Sequence, residues 1–536
     1  MSGRDLIVGL DAGTSVIKAV AFDRDGRQVG SAGTRNVYVR GDDGLSVEQD
    51  LGLTWRNAAD VLRRLSGSVP DLASRVAVLA ATGQGDGTCL VGKDGEPIAP
   101  AWLWLDARSA PIVQELDRSG VRDRVFRTTG CGMNGSNQSG HLIWLDRHRP
   151  EILDRADHAC HVKDWLYFKL TGERCTDVSE ATFTFGDFRR RAYDDGVVEA
   201  FGLSHRRSLL PPIVDALAGE HNPLAADAAE ATGLPSGLPV VLAYVDVLCS
   251  ALATGLYDRS ARAGVSIVGS TGMHMRFHPD AGAIELGREA SGYVMVLVPG
   301  TAARMQSNMA ASINIDWLLA LTKEAAGLLG HPFDAARALA SFEDAVSRER
   351  PGQALYHPYI DRSGERGPFV DPFARAQFTG LSNAVGFAGI VRSVYEGLAF
   401  AARDCFAAMG GKPAELRLAG GAARSPVLRS IFASVLDTPV REANREEAGA
   451  AGAAMIGAVA IGMHADLEEG CRRFVEPTLG RVIEPDQNLV PLYHDLFAVY
   501  RRLRTDMRPV WRDLAKAGSP EGAREVTLAS REVALS

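Results

Sequence analysis

Hydrophobic residues near the N-terminus come in short runs separated by turn-forming residues. Residues 6–10 form an apolar run, residues 11–15 read Asp-Ala-Gly-Thr-Ser, and residues 16–22 are again mostly apolar. The Asp-Arg-Asp-Gly sequence at 23–26 is a strong turn signal. This pattern predicts a strand, a tight loop, a second strand, a turn and a third strand.

A similar unit recurs in the second half of the chain. Residues 264–268 are apolar, residues 269–272 read Gly-Ser-Thr-Gly, and residues 273–277 can return as a strand. Residues 76–81 and 416–419 are also alike, since each is an apolar run followed closely by glycines. These repeats predict a duplicated α/β domain with a cleft between the two copies.

Longer patterns fill the segments between these units. Apolar residues recur every three or four positions in 142–153 and 388–409, which predicts helices. Segment 215–239, rich in Ala, Gly and Pro, is predicted to be a surface connection ahead of a strand at 240–245. We place the domain boundary near residue 250. The predicted organisation is an N-terminal domain at 1–250, a C-terminal domain at 251–505 and a partly disordered C-terminal tail at 506–536.

Composition and charge exclude several classes of protein. Hydrophobic residues make up 46% of the 536 residues and charged residues 23%, as in globular proteins. The net charge of −8 argues against a nucleic-acid partner, which needs a positive contact face. The longest small and apolar stretch, 448–463, is shorter than the ~20 residues of a membrane span, and we interpret it as a buried helix. No export signal is recognisable and the seven cysteines contain no CxxC pair, so we expect a cytoplasmic protein without a membrane partner.

The most informative segment is Asp-Ala-Gly-Thr-Ser-Val-Ile-Lys at 11–18. Gly13 permits a close backbone approach, and the backbone N–H groups with the hydroxyls of Thr14 and Ser15 can surround phosphate oxygens. Lys18 adds a positive charge, and Asp11 can hold the water shell of a Mg²⁺ ion. This is a candidate phosphate loop without the Walker spacing. An ordinary β-hairpin with an Asp/Gly/Thr turn is the alternative.

Two further segments could belong to the same nucleotide site. The turn at 269–272 repeats the Gly/Ser/Thr chemistry, so two such hairpins could contact one nucleotide. The segment at 418–425 reads Leu-Ala-Gly-Gly-Ala-Ala-Arg-Ser and leads into a predicted helix, where small residues leave space for an adenosine. Close strand-to-helix packing at glycine explains 418–425 equally well.

The order of these segments resembles the FGGY carbohydrate kinases, and the similarity extends from residue 5 to about residue 505. The matching sequences are DAGTSVIK at 11–18, TGQGDG at 82–87, WLWLDAR at 102–108, DWLYFKLTGE at 164–173, TDVSEAT at 176–182, AYVDVLCSALATG at 243–255, VGSTG at 268–272, PYIDRSGERGPFVDPFARAQFTGL at 358–381, YEGLAF at 395–400, LAGGAARS at 418–425 and EEAGAAGAA at 446–454. The resemblance implies an α/β fold of two actin-like (ribonuclease-H-like) domains with an active-site cleft between them.

The resemblance also implies an ATP-dependent kinase with Mg²⁺ and gives roles to matching positions. Asp11 organises the Mg²⁺ through water, and Asp246 is the base that accepts the proton of the acceptor hydroxyl. A carboxylate of ordinary strength suits that role because phosphoryl transfer has a loose transition state, although Asp246 could also be a capping residue at the end of a strand. The implied ATP-binding residues are Gly13, Thr14, Ser15, Lys18, Gly269, Ser270, Thr271, Gly420, Gly421, Ala422 and Ser425.

The implied acceptor contacts are Gln84, Asp86 and Asp106, together with Asp246; local turn bonding is the alternative for the first three. Many pentulose kinases of the family carry Met-His after the glutamine and glycerol kinases carry Arg-Glu, whereas this chain has Gly85 and Asp86. The carboxylate of Asp86 and the lack of a side chain at Gly85 suit an uncharged acceptor that is rich in hydroxyls. The sequence is most similar to the erythritol kinase branch, so erythritol is the expected substrate.

Several alternatives stay open at this point. A xylulose or ribulose kinase is the second choice and a glycerol kinase the third. An actin-like protein that binds ATP and acts as a sensor is the alternative from a different class. Homodimers are common in the family, but the residues of this chain do not decide its oligomeric state.

Overall fold

The computed structural model describes residues 3–517 as a mixed α/β protein. Its strands are β1 (Leu6–Ala12), β2 (Val16–Phe22), β3 (Gln28–Arg35), β4 (Val39–Arg40), β5 (Val47–Gln49), β6 (Val76–Gly83), β7 (Cys89–Gly92), β8 (Ala101–Trp102), β9 (Ala156–Cys160), β10 (Thr176–Asp177), β11 (Gly186–Asp187), β12 (Ala192–Tyr193), β13 (Ile213–Val214), β14 (Asn222–Pro223), β15 (Pro239–Leu242), β16 (Ala263–Val268), β17 (Gly272–His278), β18 (Tyr293–Val296), β19 (Ala302–Asn308), β20 (Leu355–His357), β21 (Gln377–Thr379), β22 (Glu415–Ala419), β23 (Val440–Ala443) and β24 (Leu479–Ile483).

The α-helices are α1 (Leu51–Ser68), α2 (Leu72–Arg75), α3 (Ala110–Arg118), α4 (Val121–Thr129), α5 (Gln138–His148), α6 (Pro150–Arg155), α7 (Val162–Thr171), α8 (Val178–Phe185), α9 (Asp195–Ala200), α10 (Ala226–Thr232), α11 (Asp246–Thr254), α12 (Ile313–Leu328), α13 (Ala335–Arg348), α14 (Phe387–Ala408), α15 (Pro426–Leu436), α16 (Ala448–Ala460), α17 (Leu467–Phe474) and α18 (Val490–Ala517). Short 3₁₀ turns lie at Ser204–Leu209, Ala216–Ala218, Gly421–Arg424 and Glu476–Thr478.

The chain divides into two compact units. The first unit contains the residues up to 265, 275–305 and 443–480, and the second contains 266–274, 306–442 and the residues from 481 onward. Residues 506–517 of the predicted tail continue helix α18, and the rest of that tail lies outside the described residues. The domain boundary near residue 250 stays a prediction.

A six-stranded sheet organises the first unit, in the order β14-β15-β6-β1-β2-β3. β1 is antiparallel to β2 and parallel to β6. Alternate residues of β1 face different helices: Val8 and Leu10 pack in the core with α1, whereas Gly9 lies against α16. A Cβ at Gly9 would come within 2.1 Å of the Ala450 carbonyl oxygen, so only glycine permits this close packing. The predicted hairpin at the N-terminus is confirmed.

A second sheet has seven strands in the order β18-β19-β17-β16-β22-β23-β24. Strands β16, β17, β19, β22 and β23 take the same places in this sheet as β1, β2, β3, β6 and β15 take in the first. The duplication predicted from the sequence is therefore visible as a repeated strand order. In the second unit, α14 and α15 pack together around a core that includes Tyr395, Phe400 and Phe432.

Three predicted elements need correction. The predicted helix at 142–153 is two helices, α5 and α6, because Pro150 cannot continue α5 and instead starts α6. The predicted connection at 215–239 contains helix α10, whose Ala228 and Thr232 are buried. The strand predicted at 240–245 ends at Leu242. The predicted buried helix at 448–463 is confirmed as α16.

Candidate active site

The segment at 11–18 contains the end of β1, a tight turn at 13–15 and the start of β2. The Thr14 hydroxyl donates to Gln84 Oε1 at 3.1 Å and accepts a hydrogen bond from Trp104 Nε1 at 2.8 Å. The Asn36 amide donates to the Gly13 carbonyl oxygen at 2.9 Å. The turn is therefore held by side chains from three other parts of the first unit, while Ser15 at its tip is exposed.

Lys18 has a carboxylate partner that the sequence analysis missed. Its Nζ lies 2.7 Å from Glu447 Oε2, and both side chains are partly exposed. Glu447 immediately precedes α16 and has a positive φ of 50°. The pair joins residues 429 positions apart, and only the conspicuous Glu-Glu-Ala-Gly sequence at 446–449 could have suggested it.

Asp11 lies at the end of β1 with a carboxylate that the protein only partly satisfies. Its Oδ1 is buried and has no hydrogen-bond partner within residues 3–517. Burial, followed by repulsion from Asp246 and Glu447, raises the pKa of Asp11 to about 7, against the opposing effect of Lys18. A Cβ at Gly449 would lie 2.1 Å from Asp11 Oδ2, so the start of α16 can approach this carboxylate only through a glycine.

Asp246 is the first residue of helix α11 rather than the end of a strand. Its Oδ1 accepts a hydrogen bond from the Val247 N–H at 2.6 Å. The pKa of Asp246 is raised to about 6, mainly by burial and also by the charge of Asp86, against the opposing effects of the Val247 N–H and Lys163. A carboxylate with this pKa can accept a proton near neutral pH.

Gln84 and Asp86 follow β6 in the first unit. Gln84 is 2% exposed; besides accepting from Thr14, it donates through Nε2 to Gln49 Oε1 at 2.8 Å. Asp86 has a positive φ of 53° and its Oδ1 accepts from Asn137 Nδ2 at 2.5 Å. Of the predicted acceptor residues, Asp86 is the one whose charge acts on Asp246.

Asp106 is fully buried and its oxygens are taken by neighbouring donors. Oδ2 accepts from the Val47 N–H at 2.9 Å and from Arg108 NH2 at 2.7 Å, and Oδ1 accepts from the Arg108 N–H at 3.1 Å. The Arg108 guanidinium also contacts Glu48 at 2.8 Å and stacks 3.5 Å from the Trp102 ring centroid. This geometry favours a role for Asp106 in holding Arg108 in place.

The second Gly/Ser/Thr turn lies between β16 and β17 and is held by backbone groups. The Gly269 N–H bonds to the Thr271 carbonyl oxygen at 3.0 Å, and the Ala311 N–H bonds to the Ser270 carbonyl oxygen at 2.8 Å. Ser270 is exposed. The Ser270 and Thr271 side chains are thus left for other contacts, as a phosphate-binding turn requires.

The glycine-rich segment at 418–425 connects β22 to α15 in the second unit. Gly420 has a φ of 93°, and a Cβ there would meet the Val268 carbonyl oxygen at 2.5 Å. A Cβ at Gly421 would meet nothing within 4 Å. The Ser425 hydroxyl caps α15 by accepting the Leu428 N–H at 2.9 Å and donates to Glu343. Gly420 therefore serves packing, whereas Gly421 leaves open space; the side chain of Ala422 lies outside the described residues.

Residues 3–517 contain no group of three or more His, Cys, Asp or Glu side chains placed to hold a metal ion. None of the helices in this range has the length and hydropathy to span a membrane.

Known proteins resemble this chain over most of its length. Residues 6–253 match the N-terminal domain of the FGGY family of carbohydrate kinases, and residues 264–461 match its C-terminal domain. The chain is 50% identical over 512 residues to an erythritol kinase of Brucella abortus (strain 2308), covering 95% of this chain and 98% of that protein. It is 28% identical over 512 residues to a xylulose kinase of Escherichia coli (strain K12), covering 94% and 100% respectively.

Solved structures of sugar kinases share the fold. A xylulose kinase from Rhodospirillum rubrum superposes with a TM-score of 0.83 at 26% identity, covering 95% of this chain and 100% of the other. A gluconate kinase from Lactobacillus acidophilus gives a TM-score of 0.85 at 21% identity, with 95% and 99% covered. The predicted fold of two actin-like domains is confirmed. The chain belongs to the FGGY family of carbohydrate kinases and is an ATP-dependent kinase.

Proposed function

We propose that this protein transfers the γ-phosphoryl group of Mg·ATP to a terminal hydroxyl of erythritol. The choice of erythritol as substrate rests on the 50% identity to an erythritol kinase, which extends over nearly the whole of both chains. The xylulose kinases are more distant, at 28% identity or below. Their activity is the second candidate, and glycerol phosphorylation follows it.

Asp246 is our candidate for the base. In the reaction, the acceptor oxygen bonds to the γ-phosphorus, the bond from that phosphorus to the β–γ bridging oxygen breaks, and ADP leaves. The hydroxyl proton passes to the Asp246 carboxylate. Burial supports this role, because it raises the pKa of Asp246 to about 6 and keeps the base close to the working pH.

The first turn and Asp11 are our candidates for binding phosphate and Mg²⁺. Asp11 fits a cation because its Oδ1 is buried with no hydrogen-bond partner within residues 3–517, and the charges of Asp246 and Glu447 disfavour its ionised form. A bound Mg²⁺ would neutralise the charge of the phosphates. Lys18 is placed to exchange its contact with Glu447 for a phosphate oxygen.

Residues of the second unit are further candidates for binding ATP. The proposal includes Gly269, Ser270 and Thr271 for the γ-phosphate, and Gly420, Gly421, Ala422 and Ser425 for the adenosine. The free space at Gly421 supports this assignment, while Ser425 contributes mainly by capping α15. The domain roles follow: acceptor and phosphate binding at 1–250 and nucleotide binding at 251–505.

Gln84 and Asp86 are our candidates for the acceptor. Gln84 holds the phosphate turn through Thr14, and Asp86 can accept hydrogen bonds from the hydroxyls of a polyol. Asp106 acts indirectly, because its carboxylate holds Arg108 in place. The net charge of −8 argues against a nucleic-acid partner. A cytoplasmic location and a homodimer complete the proposal, the latter to be measured by light scattering.

The test is the initial rate of ADP formation with Mg·ATP and erythritol, glycerol, xylulose, ribulose or no acceptor. We expect erythritol to give the highest kcat/KM. A preference for a ketopentose would contradict erythritol as the substrate but would still support the phosphoryl-transfer reaction. ATP binding without acceptor-dependent turnover would contradict the proposal and favour a sensor.

A further inference from the structure

The buried side chain of Glu180 lies directly against the backbone of Gly85. Glu180 belongs to helix α8 and is 0% exposed. A Cβ at Gly85 would lie 2.0 Å from Glu180 Oε1 and 2.4 Å from Val245 Cγ2, far closer than side chains can pack. The Glu180 carboxyl therefore occupies the place that a side chain of residue 85 would take.

His161 lies close to one oxygen of this carboxyl. Its Nε2 lies 3.1 Å from Glu180 Oε2, and its Nδ1 lies 3.0 Å from Asp164 Oδ2. Asp164 is itself fixed by Lys163 at 2.6 Å, and the same Nζ lies 2.5 Å from Asp177. All five side chains are buried, so Glu180 lies in a closely packed group of polar side chains that limits its movement.

Neither oxygen of the Glu180 carboxyl has a hydrogen-bond partner among the described residues. The same is true of His161 Nε2, which lies near Oε2 without hydrogen-bond geometry. Burial raises the pKa of Glu180 to about 8, opposed by His161 and Lys163, and Asp86 adds to the rise. A buried polar atom without a partner costs roughly 1–3 kcal/mol, and in native structures such atoms cluster where function requires them. Glu180 Oε1 lies beside Gly85, next to the proposed acceptor residue Asp86.

We propose that Glu180 is a positioning residue that determines the acceptor preference of this kinase, with His161 acting through it. The inference rests on the proposed function. By filling the side-chain place of residue 85, Glu180 forces that residue to be glycine and fixes the backbone that carries Asp86. The surface formed by Gly85 and Asp86 therefore has no side chain projecting from residue 85. It suits a short, uncharged polyol whose hydroxyls bond to Asp86.

A double-mutant cycle with Gly85→Ala and Glu180→Ala tests the contact. Gly85→Ala pushes the carboxyl away and Glu180→Ala removes it, so each single change is expected to raise the KM for erythritol by about tenfold, or 1.4 kcal/mol. The added methyl has more room once the carboxyl is gone, so the effect of the double variant on KM should be clearly smaller than the sum of the two single effects. The clash with Val245 is present in both backgrounds and cancels in the cycle.

Three further readouts separate positioning from a merely structural role. The KM for ATP should change by less than about twofold, because the cycle acts on acceptor binding alone. The ratio of kcat/KM for erythritol over xylitol should fall in Glu180→Ala. Glu180→Gln has the same size and fills the same space beside Gly85, so it should keep the wild-type KM and ratio.

Glu396→Ala is the matched control. Glu396 is a buried carboxylate of the second unit that pairs with Arg392 at 2.8 Å and Tyr493 at 2.8 Å, so its loss should lower Tm without changing the KM for erythritol. Additive effects of Gly85→Ala and Glu180→Ala, or an unchanged KM in Glu180→Ala, would overturn the inference. A wild-type protein without erythritol-dependent turnover would instead overturn the proposed function; additive Tm changes in the same cycle would then still overturn the contact.

Discussion

Asp246 and Asp106 both lie in the first unit, but the surroundings of their carboxylates differ. Asp106 receives hydrogen bonds from the Val47 N–H and from the backbone and guanidinium of Arg108. Asp246 accepts one from Val247, lies close to other carboxylates and has a raised pKa. Nearby Asp11 keeps a buried oxygen without a partner among the described residues.

This difference separates a supporting carboxylate from one that is available for chemistry. A fully bonded carboxylate stabilises the fold, and its removal leaves donors unsatisfied. A buried carboxylate that lies among like charges destabilises the fold, and such a cost is typical of functional sites. Substitutions at the two sites should therefore change stability in opposite directions.

Asp246→Asn should lower kcat for acceptor-dependent ADP formation by about 10²–10⁴-fold, the usual contribution of a general base. The KM for ATP should change little. Stability should rise at pH 8, because the folded-state pKa of Asp246 is raised and its ionised form opposes folding above about pH 6. Tm measured at pH 8 and at pH 4 checks the sign: the gain should disappear at pH 4, where the group is protonated in the folded protein.

Asp106→Asn should lower the free energy of unfolding by about 3 kcal/mol, because it removes the charge that pairs with a largely buried guanidinium. Urea denaturation measures the loss. Its kcat should fall much less than that of Asp246→Asn. A stable Asp106→Asn protein with a large rise in the KM for erythritol would show that Asp106 contacts the acceptor directly.

Asp11→Asn should weaken the apparent affinity for Mg²⁺ by about 10–100-fold, as for other residues that orient the shell of a metal. Titration of Mg²⁺ at fixed ATP gives the constant. The neutral side chain also removes repulsion with Asp246 and Glu447, so Tm without nucleotide should rise at pH 8. An unchanged Mg²⁺ titration would rule out this role.

Glu447→Gln should give the smallest change. It releases Lys18 from a partly exposed ion pair, and such pairs contribute about 0–1 kcal/mol to stability. We expect an unchanged Tm and a KM for ATP that is the same or slightly lower. A large rise in that KM would mean that Glu447 itself has a role in nucleotide binding.

Local sequence patterns predicted the parts of the fold that depend on neighbouring residues. The hairpins at 11–18 and 269–272 were predicted correctly because turn residues and apolar runs determine them locally. Helix α10 was missed because glycine and proline residues on both sides of its alanine-rich sequence indicated a connection, and its burial depends on packing with α1. Pro150 divided a helix whose apolar spacing alone was continuous.

Contacts between distant residues could not be predicted. Two such contacts are the ion pair of Lys18 with Glu447 and the packing of Glu180 against Gly85. Each joins segments far apart in sequence, and the local sequence pattern does not identify the partner. Asp106 was predicted to contact the acceptor because the sequence around it resembles that of the family. The hydrogen bonds that its carboxylate accepts from Arg108 are visible only in the structure.

The pH dependence of kcat for erythritol-dependent ADP formation, measured from pH 4.5 to 8 on the wild-type protein and Asp246→Asn, tests the central role of Asp246 most directly. The pKa values of Asp246 and Asp11 are raised to about 6 and about 7, and the two groups interact, so the wild-type rate should fall as the pH drops through this range. The residual rate of Asp246→Asn should lack the ionisation near pH 6. A wild-type rate that stays constant down to pH 5, or normal turnover by Asp246→Asn, would contradict the assignment of Asp246 as the base.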